Sequence, residues 1–291
     1  MSGVALALVL SSAVMHASWN YLVKRSHDKV LFFWAMAALG FTGLIVPGIA
    51  LALYDGFTPT MLGFACISIC LHASYAITLT ASYKLGDLSS VYPISRGMGP
   101  ALVPLLAVLL LGESVSAVAV VGIVLVVLGI YATHIDTRFL RDISHPLKML
   151  SLPATRIAFL TGFIIAGYTI SDKTAINHDL NPVTLSLFDT FGNVIGLLPA
   201  VVGAGLATLQ TEWRFDTKRI VAAGILAPTG YLLVLIALTT TRVAYVAPSR
   251  EVGIVIGAAL GVFLLGEGYG LTRIWGSALV VAGVVVIALA P

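Results

Sequence analysis

Two arginines sit inside long apolar runs of this chain. Arg96 lies in "SSVYPISRGMGPALVPLLAVLLLGE" (89–113) and Arg250 in "VAYVAPSREVGIVIGAALGVFLLGE" (243–267). A guanidinium cannot shed its charge, and insertion scales put its cost near the middle of a bilayer at about 2.5–3.5 kcal/mol. Two such costs at matched positions need a compensating contact. The planar fork of N–H donors suits a carboxylate or phosphonate, so an anionic group held in a wet cavity would supply one. A structural reading stands beside this one: each arginine reaches a headgroup or pairs with a carboxylate, with Asp172, Asp189 and Glu251 as candidate partners. Arg250 and Glu251 are adjacent, so on a helix they point about 100° apart and need not pair with each other.

Other polar side chains recur at helical spacing. His16, Trp19 and Asn20 fall at i, i+3 and i+4, and His72 and Tyr75 repeat the i, i+3 step. Tyr168 and Asp172 are i, i+4, as are Asp189 and Asn193. Such stripes favour a shared lumen, where aromatic ring faces can hold a cation. The alternative is interhelical hydrogen bonding, worth on average about 0.6 kcal/mol in membranes, which suits the two histidines slightly better. Tyr92, Tyr231 and Tyr245 are further candidate lining residues. Asp172 and Asp189 are candidate proton carriers, since intramembrane carboxylates often serve as relays. Lys24 and Lys173 fall at helix ends, where lysines snorkel. Glu113 and Glu267 are expected to complement the dipole of the helix that follows each. Cys66 and Cys70, the only cysteines, are too few for a tetrahedral metal site or a disulfide framework. No cofactor or metal is expected.

These residues need elements to position them, and composition says which. Of 291 residues 59% are hydrophobic and 10% charged, against about 25% charged in a soluble domain. So little polar material describes a multi-pass membrane protein whose partners are the lipid bilayer and a small molecule. The net charge of +3, with no polybasic tail, gives no sign of nucleic acid. The first segment lacks the basic flank of a cleavable signal and reads as a retained helix. Apolar windows predict ten spans, over 4–23, 30–53, 60–83, 89–111, 116–134, 154–175, 182–205, 218–240, 243–265 and 272–289.

The longest polar stretch follows the fifth span and divides the chain into 1–137, a connecting loop 138–153, and 154–291. The halves repeat. Arg96 to Glu113 and Arg250 to Glu267 are both 17 residues apart, and "WNYLVK" (19–24) and "YTISDK" (168–173) each place a lysine five residues after an aromatic, equating Trp19 with Tyr168. Five spans per half is an odd number, so the second copy enters the membrane from the opposite side. The expected fold is all-α, with ten transmembrane helices as two inverted five-helix repeats. Inverted repeats are a transporter signature, because two halves can rock about a site near the midplane. Each arginine lies seven residues into its helix, about 10 Å into a core of about 30 Å, and the two approach from opposite faces.

With "PALVPLLAVLLLGE" (100–113), "IGAALGVFLLGE" (256–267) and "MHASWNYLVKRS" (15–26), the chain resembles the drug/metabolite transporter superfamily, specifically its EamA-type members, over essentially its whole length. That resemblance implies export or import of amino acids, other metabolites or drugs, and a peripheral position for the second helix of each half, which counts against a role for Asp189. "YPISRG" and "APSREVG" depart from the more usual apolar sequence after the proline and suggest a branch linked to phosphonate use.

The expected function is a secondary transporter of a small anionic or zwitterionic metabolite of the amino acid or aminophosphonate type. Alternatives are a multidrug or organic-cation exporter of the same fold, in which Asp172 and the aromatics dominate, and a non-transporting membrane sensor or scaffold. An enzyme is not expected: the sequence has no HExxH, GxSxG or nucleotide-binding P-loop motif. The expected location is the bacterial inner (plasma) membrane. Lysine and arginine mark cytoplasmic loops. Twelve fall in loops 1–2, 3–4, 5–6, 7–8 and 9–10, against two (Lys173 and Arg242) opposite. This places both termini outside the cytoplasm, whereas the family resemblance implies both inside.

Overall fold

The structure, a computed structural model, describes all residues except 57, 86–87, 134–151 and 266–269, and describes no side chains at 83–84, 88–93, 261–262 and 264–265. Among the described residues it is entirely helical: α1 (Gly3–Lys24), α2 (Lys29–Asp55), α3 (Pro59–Leu85), α4 (Leu88–Leu111), α5 (Ala117–Thr133), α6 (Pro153–Asn177), α7 (Pro182–Ala204), α8 (Leu206–Thr240), α9 (Val243–Ser249), α10 (Val252–Leu265) and α11 (Leu271–Leu289). Starts are set by ordinary capping chemistry. The side chains of Ser2, Asp28 and Asn181 accept N–H bonds from the first turns of α1, α2 and α7. Prolines occupy the first positions of α6 and α7, where no N–H is needed. Most of the connecting loop 138–153, and Glu267, lie outside the described residues.

Eight of the ten expected spans match within two residues. The other two differ for local reasons. Helix α8 starts at Leu206 instead of 218, because "LATLQTEWRFD" is helical but too polar for an apolar window. It meets the spanning part at a kink at Asp216, whose φ is −119° and ψ 17°. Leu206 and Phe215 are exposed on this leading piece while Glu212 and Asp216 are buried. Glu212 Oε2 accepts the Asp28 N–H at 3.1 Å and Asp216 accepts from Arg219 at 2.6 Å. The amphipathic pattern is that of a helix lying along an interface.

The expected span 243–265 is interrupted. Pro248 has no N–H, so the turn around it loses a ladder bond, and the chain tightens to i→i−3 bonding. Glu251 N donates to Pro248 O at 3.1 Å, Gly253 N to Arg250 O at 3.0 Å, and Ile254 N to Glu251 O at 2.9 Å. Arg250 and Glu251 therefore sit at a break between α9 and α10. The matching helix α4 runs through Arg96 without interruption.

The helices pack in pairs that exchanging the halves would reproduce. Helix α1 lies on α8 as α6 lies on α3; α2 lies on α8 as α7 lies on α3; α4 lies on α6 as α10 lies on α1; α2 meets α7 and α5 meets α11. The α5–α11 seam is the closest. A Cβ added to Gly129 would fall 2.7 Å from the Gly276 carbonyl oxygen, and one on Gly122 would fall 2.8 Å from that of Gly283. Small residues allow this backbone approach, which drives helix association in lipid. Outward positions of α5, such as Val121 and Leu128, are exposed, as a lipid-facing surface requires. Cys66 and Cys70 are exposed on α3 and unbonded.

Candidate functional site

A buried cluster of aromatic and acidic side chains lies where α3, α6, α7 and α8 converge. His72 (α3) and Tyr168 (α6) have ring centroids 4.5 Å apart, and Tyr231 (α8) is 5.8 Å from His72 and 6.1 Å from Tyr168. Tyr75, one turn along α3, meets Tyr168 edge-on at 5.6 Å. The Tyr231 hydroxyl donates to the Asp172 carboxylate, and the Ser68 hydroxyl donates to that of Asp189. His72 Nδ1 lies 3.1 Å from the Ser68 carbonyl and 3.4 Å from Asp189. Because α7 packs directly on α3, Asp189 is in this cluster and is not peripheral, contrary to what the resemblance implied. A Cβ on Gly192 would fall 2.6 Å from the Ile69 carbonyl oxygen, so that glycine lets α7 bring its carboxylate this close.

The arginines reach the same region from opposite ends of the bundle but meet different surroundings. Arg96 is buried and its guanidinium lies 3.4 Å from Glu251, which is also buried. Glu251 is thus the one of the three candidate carboxylates that pairs with it. Arg250 is half-buried at the break, with its guanidinium carbon 5.3 Å from the centre of the Tyr231 ring. The Tyr231 side chain therefore has a cation against its face and the Asp172 carboxylate at its hydroxyl. His16 is half-buried on α1, 4.9 Å from the Trp19 ring, and lies in the field of both arginines.

Other expected site residues lie elsewhere. Trp19 is buried among apolar residues of α1, α2, α3 and α8, 6.0 Å from the Phe33 ring, so its surroundings differ from those of Tyr168, with which the spacing equates it. Asn20 donates to the His16 carbonyl one turn back at 2.7 Å. The Tyr92 side chain lies outside the described residues. Tyr245 is at the start of α9, where its hydroxyl donates to Pro291 O at 3.2 Å and accepts from Ser116 N at 3.3 Å and from Arg242 at 3.2 Å. It stands five residues before Arg250, about 7.5 Å along the helix from the break.

Glu113 has a different job from the one expected. Gly112 adopts φ +65°, which glycine tolerates and other residues resist. The Glu113 N–H then turns back to Ala107 O at 3.1 Å, ending α4. This swings its carboxylate onto α9 of the other half, where it accepts from Val243 N at 2.9 Å and Ala244 N at 3.0 Å. Lys173 does not snorkel. Its ammonium donates to Leu238 O at 2.7 Å and Thr241 O at 3.3 Å, satisfying carbonyls at the end of α8. Ser68 and Asn193, which donate respectively to the Asp189 side chain and the Asp189 carbonyl, complete the cluster. Ser68 had no place among the candidates, although it stands one turn before His72.

Residues 154–289 match the EamA-like transporter family, and residues 32–126 match the small multidrug resistance proteins. Twenty-eight chains of solved structures match as well. One, a crystal structure described only as that of a protein, is 16% identical, with a TM-score of 0.72 over 98% of this chain and 97% of that one. At this identity the likeness carries the fold alone. No curated protein matches the sequence. With helices long and apolar enough to cross a membrane, a second half that matches the EamA-like transporter family and a first-half segment that matches the small multidrug resistance proteins, the chain is similar to membrane transporters of the drug/metabolite transporter type.

Proposed function

We propose that the chain is a secondary transporter of a small zwitterionic metabolite, of the amino acid or aminophosphonate type, in a bacterial inner membrane. The observation that carries this reading is the placement of opposite charges about Tyr231, with Arg250 on its ring face and Asp172 at its hydroxyl. A zwitterion has complementary ends. Its carboxylate or phosphonate would take the half-buried guanidinium of Arg250, and its ammonium would take Asp172 with the ring faces of Tyr168 and Tyr231. Arg96, committed to Glu251, would position the break that presents Arg250. Alternating access would come from the halves 1–137 and 154–291 rocking about this region, a motion that their exchangeable packing supports.

A second reading, an organic-cation exporter, is favoured by one specific fact: aromatic rings and a carboxylate converge while Arg96 is already neutralised. Counterflow in proteoliposomes separates the two. Zwitterionic amino acids and aminophosphonates should exchange, and Arg250→Gln should slow that exchange about tenfold or more, the loss of one charge-assisted contact. Exchange of organic cations alone, unaffected by Arg250→Gln, would establish the exporter. No flux of any of these would leave a sensor or scaffold.

A further inference from the structure

We infer that His72, Asp172 and Asp189 form a binding site for one divalent transition-metal ion. Each residue comes from a different helix (α3, α6 and α7), and one ligand atom from each lies within 4.8 Å of the other two. Donors around a single ion at bonds of about 2.0–2.2 Å in tetrahedral geometry lie about 3.3–3.6 Å apart, so the three side chains must draw in by up to about 1.5 Å to close on a metal. The residues are 4%, 0% and 2% exposed, respectively. Among the described residues, Asp172 Oδ1 and Asp189 Oδ2 are buried with no hydrogen-bond partner and neither carboxylate has a lysine or arginine at ion-pair distance. Two carboxylates left so in a low-dielectric interior are costly. A divalent ion matches their charge.

The donor chemistry selects the kind of ion. A carbonyl only accepts, so His72 Nδ1–H donates to the Ser68 carbonyl and Nε2 keeps its lone pair. A histidine held through its other nitrogen in this way is the usual form of a metal ligand. Ser68 and Tyr231, donating to Asp189 and Asp172, orient the carboxylates as outer partners do in metal sites. One imidazole and two carboxylates suit manganese, iron, cobalt or zinc better than calcium or magnesium, which prefer oxygen throughout. The inference does not depend on the cargo, although Asp172 would be common to both sites.

Purified full-length protein in detergent, without any cargo, is titrated with Mn²⁺ and the free ion is followed by electron paramagnetic resonance. Saturable binding of one Mn²⁺ per chain is expected, with spin-echo modulation from an imidazole nitrogen. His72→Gln should abolish the nitrogen signal, and Asp189→Asn should weaken binding about tenfold or more. Cys66→Ser, on the exposed face of α3, should bind as the native chain does. The nitrogen signal is read on the native protein, so it does not rely on any variant folding. Absence of saturable binding below about 1 mM, a bound ion without a nitrogen ligand, or equal binding by Asp189→Asn would each overturn the inference. Transport results leave these outcomes unchanged.

Discussion

Arg96 and Glu251 face each other at 3.4 Å with almost no solvent around either. Removing one partner of such a buried pair leaves the other charge stranded, which typically costs about 3–5 kcal/mol, whereas removing both is often neutral. Arg96→Leu should therefore unfold at clearly lower temperature in detergent, and Arg96→Leu with Glu251→Leu should recover most of the loss. Equal unfolding temperatures for the single and double variants would show that the pair carries no such energy. The 17-residue spacing singled out both arginines, yet not their partners. Which carboxylate meets Arg96 depends on which faces of α4 and the α9–α10 break oppose each other, and spacing within one strand of sequence does not contain that. The position of Asp189 beside α3 is hidden from local spacing for the same reason. Its neighbours, Ser68 and His72, lie 121 and 117 positions away.

Helix boundaries were legible because they follow from local chemistry: apolar length, capping side chains and prolines. The two misses came where a local signal was weak or ambiguous, at the polar leading piece of α8 and at Pro248. Contacts between elements were less legible, and the α5–α11 seam shows what decides them. Gly129→Val would drive methyl groups into the backbone around Gly276, where even a Cβ would be 2.7 Å from its carbonyl oxygen. Overpacking of this kind typically costs about 1–3 kcal/mol, so the yield of folded protein in size-exclusion chromatography should drop. Gly63→Ala, with no atom within 4 Å of the new Cβ, should leave that yield unchanged. The capping of α9 by Glu113 gives a second test at this scale. Glu113→Ala leaves two N–H groups without acceptors, and losing a cap costs about 1 kcal/mol, so hydrogen exchange at Val243 and Ala244 should speed up about fivefold.

For the whole molecule, residues at both chain ends gather at one end of the bundle, where Met1 donates to Ala288 O at 3.4 Å and Tyr245 donates to Pro291 O. Glu113 and Lys173 join the helices at that same end. The ten expected spans, an even number, would put both chain ends on a shared side, whose identity rests on loop charge. With twelve basic residues in or beside the opposite expected loops, the rule for lysine and arginine puts these ends outside the cytoplasm. A C-terminal alkaline phosphatase fusion should then be active and a green fluorescent protein fusion dark; the reverse result would favour the orientation implied by family resemblance. The asymmetry at Arg250 has an ancestral consequence. If the two halves descend from one duplicated gene, only one of the two descendant helices carries an interruption. A molecule stitched from two copies of residues 1–137 would keep most helix pairings, yet carry two unbroken rods where the native chain has one. A single chain can hold one broken and one unbroken helix at matching positions, which two identical subunits in equivalent conformations cannot do.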